Sequence, residues 1–117
     1  MEVRYAKKTD YIAINKWSDI EVRQDYVTLV IPGCAAASVV CTSTNQFAFL
    51  NNVIVNPHLS KKTRKHAISK IIKAAISFCD AAGVENIIGF SDNKNMEAKA
   101  RDEGFVVKSS KMFIRSH

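Results

Sequence analysis

The side chains with the clearest chemistry are cations concentrated between Ser60 and Lys73. This stretch contains no acidic residue, and its count of Lys and Arg equals the formal net charge of the whole chain, +6. Its cations are Lys61, Lys62, Arg64, Lys65, Lys70 and Lys73. The first four would crowd the start of a helix, where the dipole is already positive and four N–H groups lack partners. The stretch therefore predicts a site for a phosphate-bearing ligand or an acidic protein surface.

Two other interpretations of these charges stay open. A lysine-rich helix face can be solvated and bind nothing. Nucleic acid is a weaker alternative, because no aromatic residues are interleaved with the lysines and no nucleic-acid-binding motif is present. A ligand is favoured over a solvated face because cations at a helix start oppose the dipole.

Histidine and cysteine, the other reactive side chains, form no recognisable site. Cys34, Cys41 and Cys79 have no CxxC spacing and no histidine at metal-site spacing. The three cysteines are therefore predicted to be small buried side chains of a protein in a reducing compartment. No metal site is predicted. His66 is predicted to be an exposed helical residue. His58 follows Pro57 at a strand end, near where a substrate would lie.

The spacing of apolar residues predicts a long helix that carries the cations. Apolar side chains from Ile68 to Cys79 recur at i, i+3, i+4 and i+7. Ser60 is a suitable N-cap, and Gly83 suits the position just past the C-terminus. Cys79 lies on the apolar stripe and is expected in the core.

Two shorter helices are predicted on either side. One is capped by Thr9-Asp10 and presents Tyr11, Ile12, Ile14 and Trp17, with Trp17 as a core or edge anchor. The other covers 93–103 and ends at Gly104. Residues 18–25 are either a second helical turn or a loop.

Strands are predicted where β-branched or apolar residues cluster between turn signals. Their ranges are 2–7, 26–31, 35–42, 47–55, 85–90 and 105–114, the last being one strand or a hairpin around 108–111. The order β-α-β-β-β-α-β-α-β predicts a single α/β domain over residues 1–117. Its mixed sheet should have an antiparallel front half and a β-α-β crossover around the basic helix.

The composition, 47% hydrophobic and 24% charged, is that of an ordinary globular domain. No apolar run approaches the ~20 residues of a membrane span, and the N-terminus does not resemble a signal peptide. We therefore expect an intracellular protein that does not enter a membrane.

Three motifs in this order resemble the GNAT superfamily of acetyl-CoA-dependent N-acetyltransferases over nearly the whole chain. They are Val3-Arg4-x-Ala6-x-x-x-Asp10 with Ile12 and Ile14, then Val53-Ile54-Val55-Asn56-Pro57, and finally Asn93 followed eleven residues later by Gly104-Phe105. The resemblance implies a splayed central sheet, with the pantetheine of acetyl-CoA entering where two parallel strands part.

The resemblance also implies a pyrophosphate site at the start of the central helix, shaped by a loop of pattern Arg/Gln-x-x-Gly-x-Gly/Ala. The best match here is Arg64-x-x-Ala67-x-Ser69, with small residues in place of glycines. Acetyl-CoA is therefore a possible cofactor, and its implied binding residues are Val55, Arg64, Lys65, Ala67 and Ser69.

The residues that the family uses for acid–base chemistry are replaced. The stretch where a catalytic carboxylate often lies is Leu50-Asn51-Asn52-Val53, and Ala100 stands where a tyrosine often serves as the general acid. Neither asparagine can accept a proton at neutral pH, so no catalytic residue is identified. Asn51 and Asn52 mark either the bulge that splays the strands or an exposed strand pair.

These replacements favour a protein that has the acetyltransferase fold but no longer catalyses acetyl transfer. Small acetyltransferase-like proteins of bacteriophage particles are similar, so we expect an interaction or structural module, in the cytoplasm or inside a virion assembled there. The alternative is an active N-acetyltransferase with an atypical cofactor loop. The sequence indicates neither a particular partner nor an oligomeric state.

Overall fold

Helices and strands form where the side-chain patterns predict them in the described part of the chain. The computed structural model describes residues 1–19, 22–23, 26–90, 94–107 and 112–116. Within these ranges the elements are β1 (Arg4–Tyr5), α1 (Lys8–Trp17), β2 (Val27–Ile31), β3 (Ala35–Cys41), β4 (Phe47–Val55), α2 (Lys61–Ala81), β5 (Asn86–Phe90), α3 (Lys94–Asp102), β6 (Val106–Val107) and β7 (Met112–Ser116).

All described strands belong to one mixed sheet in the order β1-β2-β3-β4-β5-β7-β6. Strands β1 to β4 pair antiparallel, whereas β4 and β5 pair parallel. A parallel pair needs a crossover connection, and α2 supplies it. The predicted α/β architecture, with its antiparallel front half and crossover around the basic helix, is confirmed.

Helix α2 buries one stripe against the sheet, as the apolar spacing predicts. The buried residues are Ala67, Ile71, Ile72, Ala75, Ile76 and Cys79. The Oγ of Ser60 accepts a hydrogen bond from the N–H of Thr63 at 3.2 Å, which confirms the N-cap. Gly83 adopts a φ of +76°, a left-handed conformation that favours glycine after a helix.

The core lies on both faces of the sheet. The larger cluster forms between the sheet and α2, and it includes Ile71 and Phe113. A smaller cluster beneath α1 contains Tyr11, Ile14 and Val22. The shared sheet joins the two clusters, because neighbouring residues of one strand point to opposite faces.

A bulge in β4 changes which face its residues meet. Ser38 lies opposite Asn52, and Val39 lies opposite Leu50, so Asn51 has no partner on β3. Before the bulge, Leu50 belongs to the cluster under α2; after it, Val53 packs against that same cluster. Of the two interpretations of Asn51 and Asn52, the structure supports the bulge.

Helix α1 differs in detail from the prediction. It begins at Lys8, so its N-cap is Lys7, and Asp10 lies within the first turn instead of preceding it. The prediction placed Ile12 on the apolar face, but its side chain is 64% exposed because Tyr11 and Ile14 occupy the face that meets the sheet.

The chain ends also differ from the predicted strands. Strand β1 is shorter than the predicted 2–7, because only Arg4 and Tyr5 pair with β2. Strands β6 and β7 pair antiparallel, which favours a hairpin over one continuous strand. The predicted turn at 108–111, the helix start at Asn93 and residue Ile20 lie outside the described residues. The described members of the 18–25 segment, 18–19 and 22–23, are not helical.

No helix among the described residues is long and apolar enough to cross a membrane.

Candidate functional site

A cleft opens in the sheet where β4 and β5 part. Their parallel pairing ends at Leu50 and Gly89, while β4 continues to Val55. Beyond this point β4 pairs with β3 on one side only. The bulge at Asn51 lies at the point of parting, where the extra residue bends the strand.

The cleft encloses about 330 Å³. Its apolar wall combines side chains from the sheet, from α2 and α3, and from the segment after α3: Leu50, Val53, Ile54, Val55, Ile72, Met96, Ala100, Phe105 and Phe113. Trp17, Ser18, Asn51 and Asn52 also line it. Such a cleft can take an extended chain with apolar segments, while the unpaired edge of β4 offers backbone hydrogen-bonding groups.

Gly89 gives the cleft part of its depth. It is buried between Leu50 and Phe113 in the sheet, yet a Cβ built at this position would have no heavy atom within 4 Å. Its φ is not positive, so turn geometry does not require glycine here. The empty volume above Gly89 is therefore part of the cleft.

The loop from β4 to α2 is tied to the turn between β2 and β3 by Asn56. The N–H of Asn56 donates to the carbonyl oxygen of Cys34 at 2.7 Å, and its Nδ2 donates to the carbonyl oxygen of Gly33 at 3.0 Å. The Oδ1 of Asn56 accepts the N–H of His58 at 3.0 Å. These bonds hold the loop in place and leave the His58 side chain exposed.

The start of α2 keeps part of its capacity to bind an anion. Ser60 satisfies two amides, since its Oγ accepts from Thr63 and its carbonyl oxygen accepts the N–H of Arg64 at 2.9 Å. Among the described residues, no acceptor meets the N–H groups of Lys61 and Lys62, and no acid lies in the first turn. A phosphate could receive these two N–H groups.

The side chain of Arg64 is bonded to the loop that precedes α2. Its Nη1 donates to the carbonyl oxygen of Pro57 at 3.1 Å, which folds the side chain back onto the preceding loop. Lys65 is exposed, and its carbonyl oxygen accepts the Nζ of Lys99 at 3.1 Å. Of the two cations in the predicted cofactor site, Arg64 is therefore bonded to the preceding loop, whereas the side chain of Lys65 is exposed.

The predicted loop pattern Arg64-x-x-Ala67-x-Ser69 lies within α2 and not in a loop. Ala67 is fully buried against the core, and Ser69 is half-buried on the third turn. Of the predicted cofactor residues, Val55 lines the cleft. The binding roles of Val55, Arg64, Lys65, Ala67 and Ser69 stay predictions.

The described lining of the cleft includes no carboxylate, histidine, cysteine, lysine or tyrosine. Asn51, Asn52 and Ala100 line it, in the positions where the resemblance expects the acid–base groups. His58 and His66 are exposed and are not among the lining residues. The described lining can therefore bind and position a reactant, but it offers no side chain that takes up a proton at neutral pH.

The cysteines add no reactive group to the cleft. Burial raises the pKa of the Cys79 thiol to about 12, so this side chain stays protonated within the core. Desolvation also raises the pKa of Cys41, at the end of β3. Among the described residues, no three His, Cys, Asp or Glu side chains lie close enough together to hold a metal ion.

Solved structures share this splayed sheet. Over 98% of this chain, a spermidine/spermine N-acetyltransferase, SpeG from Vibrio cholerae, matches with a TM-score of 0.79 at 12% identity, over 93% of its own length. The protein yncA from Salmonella typhimurium, solved with its cofactor acetyl-CoA, matches over 98% of this chain and 92% of its own, with a TM-score of 0.73 and 18% identity. The fold is that of the GNAT acetyltransferases.

A further match is to N-acetylglutamate synthase from Neisseria gonorrhoeae, solved with coenzyme A and L-arginine. Its TM-score is 0.75 at 13% identity, and this chain spans 32% of its length. The sequence matches no protein-family model and no curated protein. These likenesses establish the GNAT fold alone, because a shared fold can carry different functions.

The sequence patterns did not predict several residues of the cleft wall. The apolar spacing predicts Ile72 only as a core residue of α2. It predicts no role at a site for Met96, Phe105 or Phe113. Gly89 carried a usable signal, since an isolated glycine inside a strand marks a close approach of backbone or ligand.

Proposed function

We propose that the protein binds acetyl-CoA in the cleft between β4 and β5 and transfers its acetyl group to an amine. The observation that carries this proposal is the early end of the β4–β5 pairing at Leu50 and Gly89, with an apolar cleft in the gap. The free edge of β4 would hold the pantetheine arm, and the two open N–H groups at Lys61 and Lys62 would receive the phosphates.

In this mechanism the protein positions the reactants and water removes the proton. The amine nitrogen attacks the thioester carbonyl carbon, the C–S bond breaks, and coenzyme A leaves as the thiolate, which takes up a proton. Because the described lining offers no base, the acceptor must bind as the free amine. Proximity in an apolar cleft and backbone donors on β4 then provide the rate enhancement.

Calorimetric titration with acetyl-CoA tests the proposal, with Gly89→Leu as the blocking variant. A Cβ at this position has no heavy atom within 4 Å, so the added side chain can enter the cleft and occupy its volume. We expect wild type to bind and the variant to lose binding while its thermal unfolding midpoint stays close to that of wild type. Ser77→Leu, at an exposed position of α2, is the matched control and should bind as wild type does.

The outcomes separate binding from transfer. No heat change and no thermal shift with millimolar acetyl-CoA would contradict the whole proposal. Binding that survives in Gly89→Leu would place the ligand elsewhere. Binding without release of coenzyme A over a panel of small amines would contradict the transfer step and leave the protein as an acyl-CoA-binding module.

The second candidate is an interaction or structural module without catalysis, such as a component of a phage particle assembled in the cytoplasm. The observation that favours it is the combined replacement of acid–base groups by Asn51, Asn52 and Ala100, together with Arg64 folded onto Pro57. On this view an acidic protein surface docks on the basic start of α2. Absence of acetyl-CoA binding, with a stable fold, is the result that supports it.

A further inference from the structure

A band of positive charge runs along the outer face of α2 and continues onto α3. Lys62, Lys65 and His66 are exposed, and the side chain of Lys73 is 64% exposed. From Lys62 to Lys73 the helix rises roughly 16 Å at 1.5 Å per residue. The band of positive charge therefore extends beyond the first turn of α2.

Helix α3 adds a cation to the same surface. The Nζ of Lys99 lies 3.1 Å from the carbonyl oxygen of Lys65, so its ammonium group is held against the side of α2. Lys70 lies about one turn before Lys73 on α2 and is half-buried. We call the surface formed by Lys62, Lys65, Lys70, Lys73 and Lys99 the lysine face.

Little negative charge offsets this surface. In the described part of the chain, no carboxylate lies within ion-pair distance of Lys62, Lys65 or Lys70. Lys73 approaches the Oε1 of Glu103 at 3.7 Å, a long contact that contributes little because the Lys73 side chain is 64% exposed. Clustered lysines repel one another, so a bound polyanion would stabilise them.

The lysine face has the composition of a polyphosphate-binding surface and not of a protein interface. A stable protein interface has an apolar or aromatic centre. The large hydrophobic side chains found exposed are Met1, Tyr5, Ile12, Val27 and Val106, none of which is on α2 or α3. Lysines act as point charges and suit a repeated phosphate backbone, whereas stacking on unpaired bases needs aromatic side chains that this face lacks.

We propose that the lysine face binds the phosphate backbone of double-stranded nucleic acid without reading its sequence. The lysine face overlaps the proposed acetyl-CoA site at the start of α2, at Lys62 and Lys65. Lys70, Lys73 and Lys99 lie beyond that start, so the two kinds of binding can be tested separately. Five phosphate contacts, one for each lysine, predict a plot of log K against log salt with a slope of about −4.5. Affinity then falls roughly five hundredfold between about 50 and 200 mM salt.

Fluorescence anisotropy with a labelled DNA duplex measures this binding. The test variant is the triple change Lys70→Gln, Lys73→Gln and Lys99→Gln. The matched control is Lys7→Gln, Lys8→Gln and Lys16→Gln, at exposed positions on and next to α1. Both variants lower the formal net charge of +6 by the same three units.

We expect the test variant to lower the magnitude of the salt slope by about 2.7 and the control to leave it unchanged. Duplexes of unrelated sequence should bind equally, and acetyl-CoA titrations should be the same for the test variant and wild type. Thermal unfolding of both variants verifies that they fold.

Three results would overturn the inference. A flat salt response would exclude phosphate neutralisation. Equal losses in the two variants would show that net charge matters and the face does not. Displacement of the duplex by polyglutamate at equal charge concentration would indicate an acidic protein as the partner.

Discussion

At the scale of single residues, the carboxylate of Asp10 organises the start of α1. Its Oδ2 accepts from the Nη1 of Arg4 at 2.7 Å and from the N–H of Lys7 at 2.6 Å, and its Oδ1 accepts from the Nη2 of Arg4 at 3.0 Å. The bond from Arg4 is the main cause that lowers the pKa of Asp10 below its ordinary value. One side chain thus joins β1 to α1 and caps the helix.

Asp10→Asn should therefore destabilise the protein at neutral pH. We expect the free energy of unfolding to fall by about 1–2 kcal/mol, because a charged acceptor of two Arg bonds and one amide is lost. Since the pKa of Asp10 is lower in the folded state, its contribution is full above its ordinary pKa of 3.8 and is lost as the pH falls through the lower folded value.

Urea denaturation of both proteins over a pH series measures this linkage. The gap between wild type and Asp10→Asn should narrow as the pH drops below 3.8. Asp19→Asn, which removes an exposed carboxylate, should show no gap at any pH. A constant gap for Asp10→Asn would mean that the charge of the carboxylate is irrelevant.

At the scale of elements, the bulge at Asn51 links the strand pattern to the cleft. The strand is predicted over 47–55, and it has these bounds in the structure. Leu50 and Val53 meet the same cluster although they are three positions apart, a break in the two-residue period that the extra residue explains. The sequence does not decide between a bulge and an exposed strand pair, because two adjacent asparagines fit either interpretation.

Deleting Asn51 should restore regular pairing and narrow the cleft. Leu50, Asn52, Val53 and Ile54 would keep their present faces, so the free energy of unfolding should stay within about 2 kcal/mol of wild type. Without the extra residue β4 stays beside β5 for longer. Amide hydrogen exchange over 52–55 should then slow, and acetyl-CoA binding should be lost.

The variant Asn51→Ala distinguishes the effect of the extra backbone residue from the effect of the asparagine side chain. It keeps the residue count, so it should keep the bulge, the exchange rates over 52–55 and the ligand affinity. Unchanged exchange in the deletion variant would mean that the strands part for a reason other than the bulge.

At the scale of the whole molecule, the sequence predicted what depends on local patterns. Helix α2, its N-cap Ser60 and the order of helices and strands along the chain follow from apolar spacing and turn residues. The cleft could not be predicted from spacing alone, because Trp17, Gly89, Met96 and Phe113 meet only after four elements pack. The buried position of Ala67 likewise depends on where α2 begins, which capping by Ser60 fixes.

The two core clusters should unfold together, because they share one sheet. Ile14 and Ile71 are both fully buried, the first beneath α1 and the second beneath α2. Ile14→Ala and Ile71→Ala should each lower the free energy of unfolding by about 2–5 kcal/mol. Ile12→Ala, at an exposed position on α1, should change it by about 0.5 kcal/mol or less.

Two probes report on the two faces. Trp17 is the only tryptophan and packs against the smaller cluster, so its fluorescence follows the α1 side. Far-UV circular dichroism follows mainly α2, which is the longest described helix. Ile14→Ala and Ile71→Ala should each shift the fluorescence and circular dichroism transitions by the same amount. The reason is that a domain of this size with one continuous sheet is expected to unfold in a single step. An Ile14→Ala protein in which the fluorescence transition precedes the loss of helical signal would show that the α1 side unfolds independently.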